Sequence, residues 1–188
     1  MPDKTELVSE VARRFPALAE ELGTRDLEFL VNSTSLVELP AGRKIMRDRM
    51  PVDSLYLLLE GEAAISVEES GKAIRLGRAG PGQWLGEVSV LSGELLASST
   101  VESETRVRLL RMRHEKFEEL IASNHELGNV LLRQFVSMLA ERLRTSSRSF
   151  QETARSDSPA ADLGPEDDAP AKPGKNWIKS FFERVQRP

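Results

Sequence analysis

Gly80-Pro81-Gly82-Gln83-Trp84-Leu85-Gly86-Glu87-Val88-Ser89-Val90-Leu91 sets a glycine-rich turn directly against a short apolar helical turn that carries a glutamate. Glycines at a helix start let backbone N–H groups approach an anion, and the positive end of the helix favours the charge they meet. The stretch therefore predicts a phosphate-and-sugar pocket around Gly86, Glu87, Val88 and Ser89. The segment that follows, Leu95-Leu96-Ala97-Ser98-Ser99-Thr100-Val101, contains no arginine or lysine. A phosphate seated there would have only hydroxyl donors, which serve a neutral ligand better than a phosphodiester.

Around this stretch, from Leu36 to Met112, the pattern is one of short alternating or β-branched runs punctuated by glycine. Leu55-Tyr56-Leu57-Leu58-Leu59 and Ala63-Ala64-Ile65-Ser66-Val67 flank Glu60-Gly61, which predicts a hairpin. Ala73 to Leu76 and Val107 to Met112 add further strands. Many short strands with tight turns predict a jelly-roll barrel. On the amino-terminal side, Leu7, Val8, Val11, Phe15, Leu18 and Leu22 recur at helical spacing, with Pro16 splitting the region into two short helices. Thr24 is the expected N-cap of a helix running to about Val31. The predicted class is α+β, with N-terminal helices over residues 1–33 and the pocket domain over 34–150.

At these residues the chain resembles the cyclic-nucleotide-binding domain family, the module of the catabolite activator protein and of the regulatory subunit of protein kinase A. The resemblance runs roughly from Leu27 to Leu143. Pro40-Ala41-Gly42 before Lys44-Ile45-Met46-Arg47, then Asp53 to Glu62, Leu76-Gly77, Gly80-Pro81-Gly82 and Gly86-Glu87 follow the family's order and spacing. Single motifs of this kind are weak evidence, whereas several in register are strong. The resemblance implies that the backbone at Gly86 meets a cyclic phosphate and that Glu87 accepts a hydrogen bond from the ribose 2′-hydroxyl. It also implies ligand contacts from Val88, Ser89, Leu96, Ala97, Ser98 and Ser99.

The family's cassette arginine, which pairs with the phosphate, falls here on Leu96 or Ala97. A hydrogen bond to a charged group is worth about 1.5 to 3 kcal/mol, so its loss costs roughly ten- to a hundredfold in affinity. The expectation is that cyclic AMP and cyclic GMP bind more weakly than micromolar or not at all. Arg49 stands where the family places a glycine, which predicts a changed loop, and Arg49 or Arg47 could supply a relocated positive charge, although nothing in the sequence aims either at the pocket.

Composition narrows the function classes. The 188 residues contain no cysteine and two histidines, so disulfides and thiolate metal sites are excluded. His114 and His125 lie eleven residues apart, which is not a metal-ligand spacing. Jelly-roll oxygenases need a cluster of inward histidines and carboxylates, and no nucleophile elbow or phosphate-binding P-loop is present. No catalytic residue, metal or cofactor is expected. The formal charge of −4 argues against a nucleic-acid partner. No apolar run follows Met1-Pro2-Asp3-Lys4, so the expected location is cytoplasmic.

Helical periodicity returns at His114, with Phe117, Leu120 and Ile121 on a short helix ending near Asn124. A longer helix carries Leu127, Val130, Leu131, Phe135, Val136, Leu139 and Leu143 as a stripe wider than one barrel contact requires. In the resembled family this element pairs with its twin, so Leu127, Val130, Leu131, Phe135, Leu139 and Leu143 are the expected homodimer face. The alternative is that the whole stripe packs on its own barrel.

Residues 151–175 are rich in Ala, Pro, Asp, Glu, Gly and Ser and predict a flexible linker in place of a helix-turn-helix domain. Residues 176–188 follow, with Trp177, Ile178, Phe181, Phe182 and Val185 on one helical face and Lys179, Glu183, Arg184, Gln186 and Arg187 on the other. This segment reads as a recruitment helix for a partner protein, with a peripheral membrane anchor or packing on its own barrel as the alternatives. The sequence as a whole points to a non-enzymatic regulatory or adaptor protein. A cyclic-nucleotide sensor signalling through the dimer helix, or one anchored at a membrane surface, is the other reading.

Overall fold

The run Ser54-Leu55-Tyr56-Leu57-Leu58-Leu59-Glu60 forms strand β3 (Ser54–Glu60), and it is apolar without alternation because both of its faces are covered. Leu55, Leu57 and Leu59 point into a core shared with the helices, whereas Tyr56 and Leu58 point into a second core between two sheets. A strand that carries a core on each side needs a continuous apolar run rather than period two. The computed structural model describes residues 3–156, with side chains placed for residues 3–145.

Three helices come first: α1 (Lys4–Arg14), α2 (Pro16–Glu21) and α3 (Thr24–Asn32). Pro16 opens α2 at a position where its missing N–H costs nothing, which is why the chain breaks into two helices at Phe15. Gly23 is the N-cap of α3 and Thr24 its first helical residue, one position earlier than the sequence suggests. Leu7, Val8, Val11, Phe15, Leu18 and Leu22 are all buried.

The strands β1 (Ser35–Leu39), β2 (Lys44–Met46), β4 (Ala63–Glu69), β5 (Lys72–Ala79), β6 (Trp84–Leu85), β7 (Thr100–Ser103) and β8 (Val107–Arg113) join β3 in two antiparallel sheets. Their orders are β1-β8-β3-β6 and β2-β7-β4-β5. The strands thus make a two-sheet jelly roll and not a closed barrel. The hairpin expected at Glu60-Gly61 is a corner between sheets: β3 pairs with β8 and β6, and β4 pairs with β5 and β7. Gly61 turns that corner at φ +84°, and a Cβ there would lie 2.8 Å from the Thr105 hydroxyl. The local signal is the same for a turn within a sheet and a turn between sheets, so the sequence alone could not separate them. The true hairpin joins β4 to β5 through Ser70-Gly71, both at positive φ.

Helix α4 (Glu87–Ser92) lies between β6 and β7, and α5 (His114–Ser123) and α6 (His125–Ser156) close the described chain. Asn124 separates α5 from α6; its side chain accepts from the Leu127 N–H at 3.0 Å and donates to Asp26 at 2.7 Å. Gly128 sits against Ile121, where a Cβ would approach within 3.1 Å, so the two helices meet closely at this point. Helix α1 is tied to the sheet through Glu10, whose carboxylate takes Arg108 at 3.1 and 3.2 Å.

Two expectations for α6 change. Leu127, Val130, Leu131 and Phe135 are buried in the helix-covered core of their own domain, so four of the six residues assigned to a dimer face are spent on the monomer. Helix α6 also runs to Ser156, six residues into the expected linker. The chain divides into two units, Met1–Arg144 and Thr145–Pro188. In the second, the described residues end at Ser156, and the remaining linker positions and the Trp177 to Val185 stripe lie outside them. Among the described residues, no helix is long and apolar enough to cross a membrane.

Candidate functional site

Gly86 is the N-cap of α4 at φ +83°, and a Cβ at that position would lie 2.5 Å from the Ser54 carbonyl oxygen. Only glycine satisfies both the left-handed backbone and the approach of β3. The next residue, Glu87, is 2% exposed, so the turn delivers a carboxylate into the molecule rather than to its surface.

A small cavity opens on this carboxylate. Gly86, Glu87, Val88 and Ser89 line one side, Ser98, Ser99 and Val101 another, and Met46, Ile65 and Leu85 supply its apolar wall. Its volume is about 50 Å³. Leu96 and Ala97 do not line it. Leu96 is exposed beside Pro51, and Ala97 is buried in the core between the sheets. The Ala97 N–H donates to the Met50 carbonyl at 2.9 Å, and its carbonyl accepts from the Arg49 N–H at 2.8 Å. Arg49 adopts φ +59°, the left-handed region that glycine occupies at least cost.

The cation that local sequence fails to provide comes from α6. Arg142 lines the cavity and donates through Nη1 to Oε1 of Glu87, while Nη2 donates to the Trp84 carbonyl at 3.1 Å. Burial pushes the Glu87 carboxyl up, and the Arg142 guanidinium pulls in the opposite direction. The pair is asymmetric, with the Glu87 side chain 3% and the Arg142 side chain 40% exposed. The carboxylate is fixed, and the guanidinium stands at the mouth. Neither Arg47 nor Arg49 lines the cavity.

Trp84 joins the pocket to the helices. Its ring packs edge-on against Phe135 of α6 at 4.9 Å and against Phe15 at 5.6 Å. The strand and turn around Gly86 thus touch α6 through two links, an ion pair and an aromatic contact. Sequence reasoning missed Arg142 because one arginine in a charged helix carries no local mark of its target. Ile65 was legible only as a strand residue, Met46 only through the run Lys44 to Arg47 and Val101 only as the end of the cation-free segment, since their convergence depends on sheet pairing.

Among the described residues, no group of histidines and carboxylates is placed to hold a metal ion. The residues can accept a hydroxyl at Glu87 and offer hydroxyls at Ser89, Ser98 and Ser99. They can also meet negative charge at Arg142.

Residues 36–124 match the cyclic nucleotide-binding domain family. The chain is 29% identical over 113 residues to a cyclic nucleotide-gated potassium channel of Mesorhizobium japonicum, covering 60% of this chain and 30% of the channel. It is 25% identical over 150 residues to the cAMP-activated global transcriptional regulator of Haemophilus influenzae, covering 78% of this chain and 65% of the regulator. The chain thus spans less than two thirds of the length of either relative. A cyclic nucleotide-binding domain from Methylobacillus flagellatus superposes with a TM-score of 0.71 at 18% identity, over 79% of this chain and 84% of the other, which speaks for the fold. The family match and these similarities agree on one point: residues 36–124 form a cyclic nucleotide-binding domain.

Proposed function

We propose that this protein is a non-enzymatic regulatory adaptor, in which a cyclic nucleotide-binding-type domain takes a nucleotide-like ligand weakly and controls the placement of α6. The observation that carries the reading is the occupied glutamate. The group that would receive a ribose hydroxyl is held by Arg142 of α6, which also lines the small cavity over it. A ligand that bonds to Glu87 must displace or share the guanidinium, so binding is coupled to the helix and part of the binding energy is spent on that rearrangement. Differential affinity for two positions of α6 is what allows a ligand to shift that equilibrium.

The regulatory output runs through self-association along α6. Leu132 and Val136 are exposed at 38% and 67%, and with Leu139 and Leu143 they recur at spacings of four, three and four. That is the apolar repeat of a two-stranded coiled coil, with Val136 at an a position and Leu132 and Leu139 at d positions. The stripe Trp177, Ile178, Phe181, Phe182 and Val185 completes the proposal as the element that recruits a partner protein.

Titration calorimetry of the full chain with cyclic AMP and cyclic GMP tests the reading. Dissociation constants weaker than micromolar but measurable are expected. Submicromolar affinity for either ligand, or no heat with either at millimolar concentration, would overturn it.

A further inference from the structure

We infer that Arg142 is the anion-binding residue of this pocket, taking over from α6 the countercharge that the cassette between Gly86 and Val101 does not contain, and that the ligand is correspondingly a singly charged phosphate ester. The inference rests on the proposed reading of the pocket and names the residue and charge that reading leaves open.

Three observations lead to it. The segment from Gly86 to Val101 has no lysine or arginine, and of its two carboxylates only Glu87 lines the cavity. Apart from Glu87 and Arg142, every polar side chain of the lining is a serine. Arg142 is the one cationic residue in that lining, and it reaches the cavity from α6, outside the cassette.

Charge and exposure then assign the roles. Glu87 is closed in on nearly all sides, so an anion entering the cavity beside it would face an uncompensated carboxylate unless a cation stayed within contact. Arg142 meets that need because its Nη1 and Nη2 are spread over two acceptors, Glu87 and the Trp84 carbonyl. A guanidinium carries five N–H donors, so it can hold a carboxylate and a phosphate oxygen together. Its side chain is 40% exposed and stands on the open side of the pair, where an incoming ligand arrives first. The hydroxyls of Ser98 and Ser99 can donate to the same phosphate but bring no charge. Glu87 remains the acceptor for a sugar hydroxyl. Since the cation sits on α6, its partner exchange from the Trp84 carbonyl to a phosphate is itself the signal passed to the helix.

The test compares cyclic AMP with adenosine, which keeps the base and sugar but lacks the phosphate, by calorimetry on the full chain at two salt concentrations. The wild type should prefer cyclic AMP, with affinity that falls as salt rises. Arg142→Gln should weaken cyclic AMP roughly tenfold or more relative to adenosine and flatten the salt dependence. Arg142→Lys should retain part of the preference, and it also covers the case in which the glutamine variant does not fold. If both variants bind cyclic AMP as well as the wild type does, or more tightly, Arg142 is a plug and the inference fails while the pocket reading stands. If the wild type binds neither cyclic AMP nor cyclic GMP, both fail.

Discussion

Glu87 and Arg142 dominate the chemistry of the site, and their pairing has a pH signature. Burial raises the Glu87 carboxyl above its ordinary value of 4.5, with Arg142 opposing the rise. A carboxyl raised in the folded state binds its proton more tightly than the unfolded chain does. Stability is therefore lost as pH rises from the unfolded value through the folded one. Removing the guanidinium removes the opposition and deepens the loss. Arg142→Ala should unfold at lower denaturant concentration than wild type, by about 1 to 2 kcal/mol at pH 8 and by much less at pH 5. Chemical denaturation at the two pH values measures this, and Glu87→Gln in the same background should abolish the difference. An equal loss at both pH values would mean that Arg142 contributes through packing alone.

At the scale of elements, α6 serves three neighbours with different faces. Leu127, Val130, Leu131 and Phe135 pack inward against the sheet and the other helices. Arg142 turns to the pocket, and Leu132 and Val136 turn to solvent. The broad stripe read from the sequence is thus two stripes laid side by side, which explains why it looked too wide for one contact. Self-association should depend on the outer stripe and not on the inner one. Leu132→Glu with Val136→Glu should convert a dimer to a monomer in sedimentation or light scattering, without lowering the melting temperature of the domain. A dimer that survives the double substitution would place the interface elsewhere. The strand elements teach a related lesson: Glu60-Gly61 was legible as a turn, yet a turn signal contains nothing about which strand lies across from the next.

For the whole molecule, the unit Met1–Arg144 holds two cores on either side of β3, one shared with the helices and one between the sheets. The carboxy-terminal stripe around Trp177 belongs to the recruitment half of the proposal. Deleting residues 175–188 should leave nucleotide affinity, oligomeric state and unfolding temperature unchanged, and vesicle pelleting should show no tail-dependent membrane binding. A lower unfolding temperature on deletion would reassign the stripe to packing, and pelleting lost on deletion would reassign it to a lipid surface.

The sequence by itself determined the helix break at Pro16, the set of short strands, the glycine turn that buries Glu87 and the lack of a cation in the cassette. Each depends on backbone preference or apolar spacing over a few adjacent residues, and such forces are written locally. Only the tertiary structure decided that β3 and β4 enter different sheets, that the inner face of α6 is consumed by its own domain, and that Arg142, 55 residues beyond Glu87, becomes its partner. These outcomes depend on which distant segments share a face. That choice is made by burial and charge pairing across the folded chain, and neither partner's own neighbourhood in sequence records it.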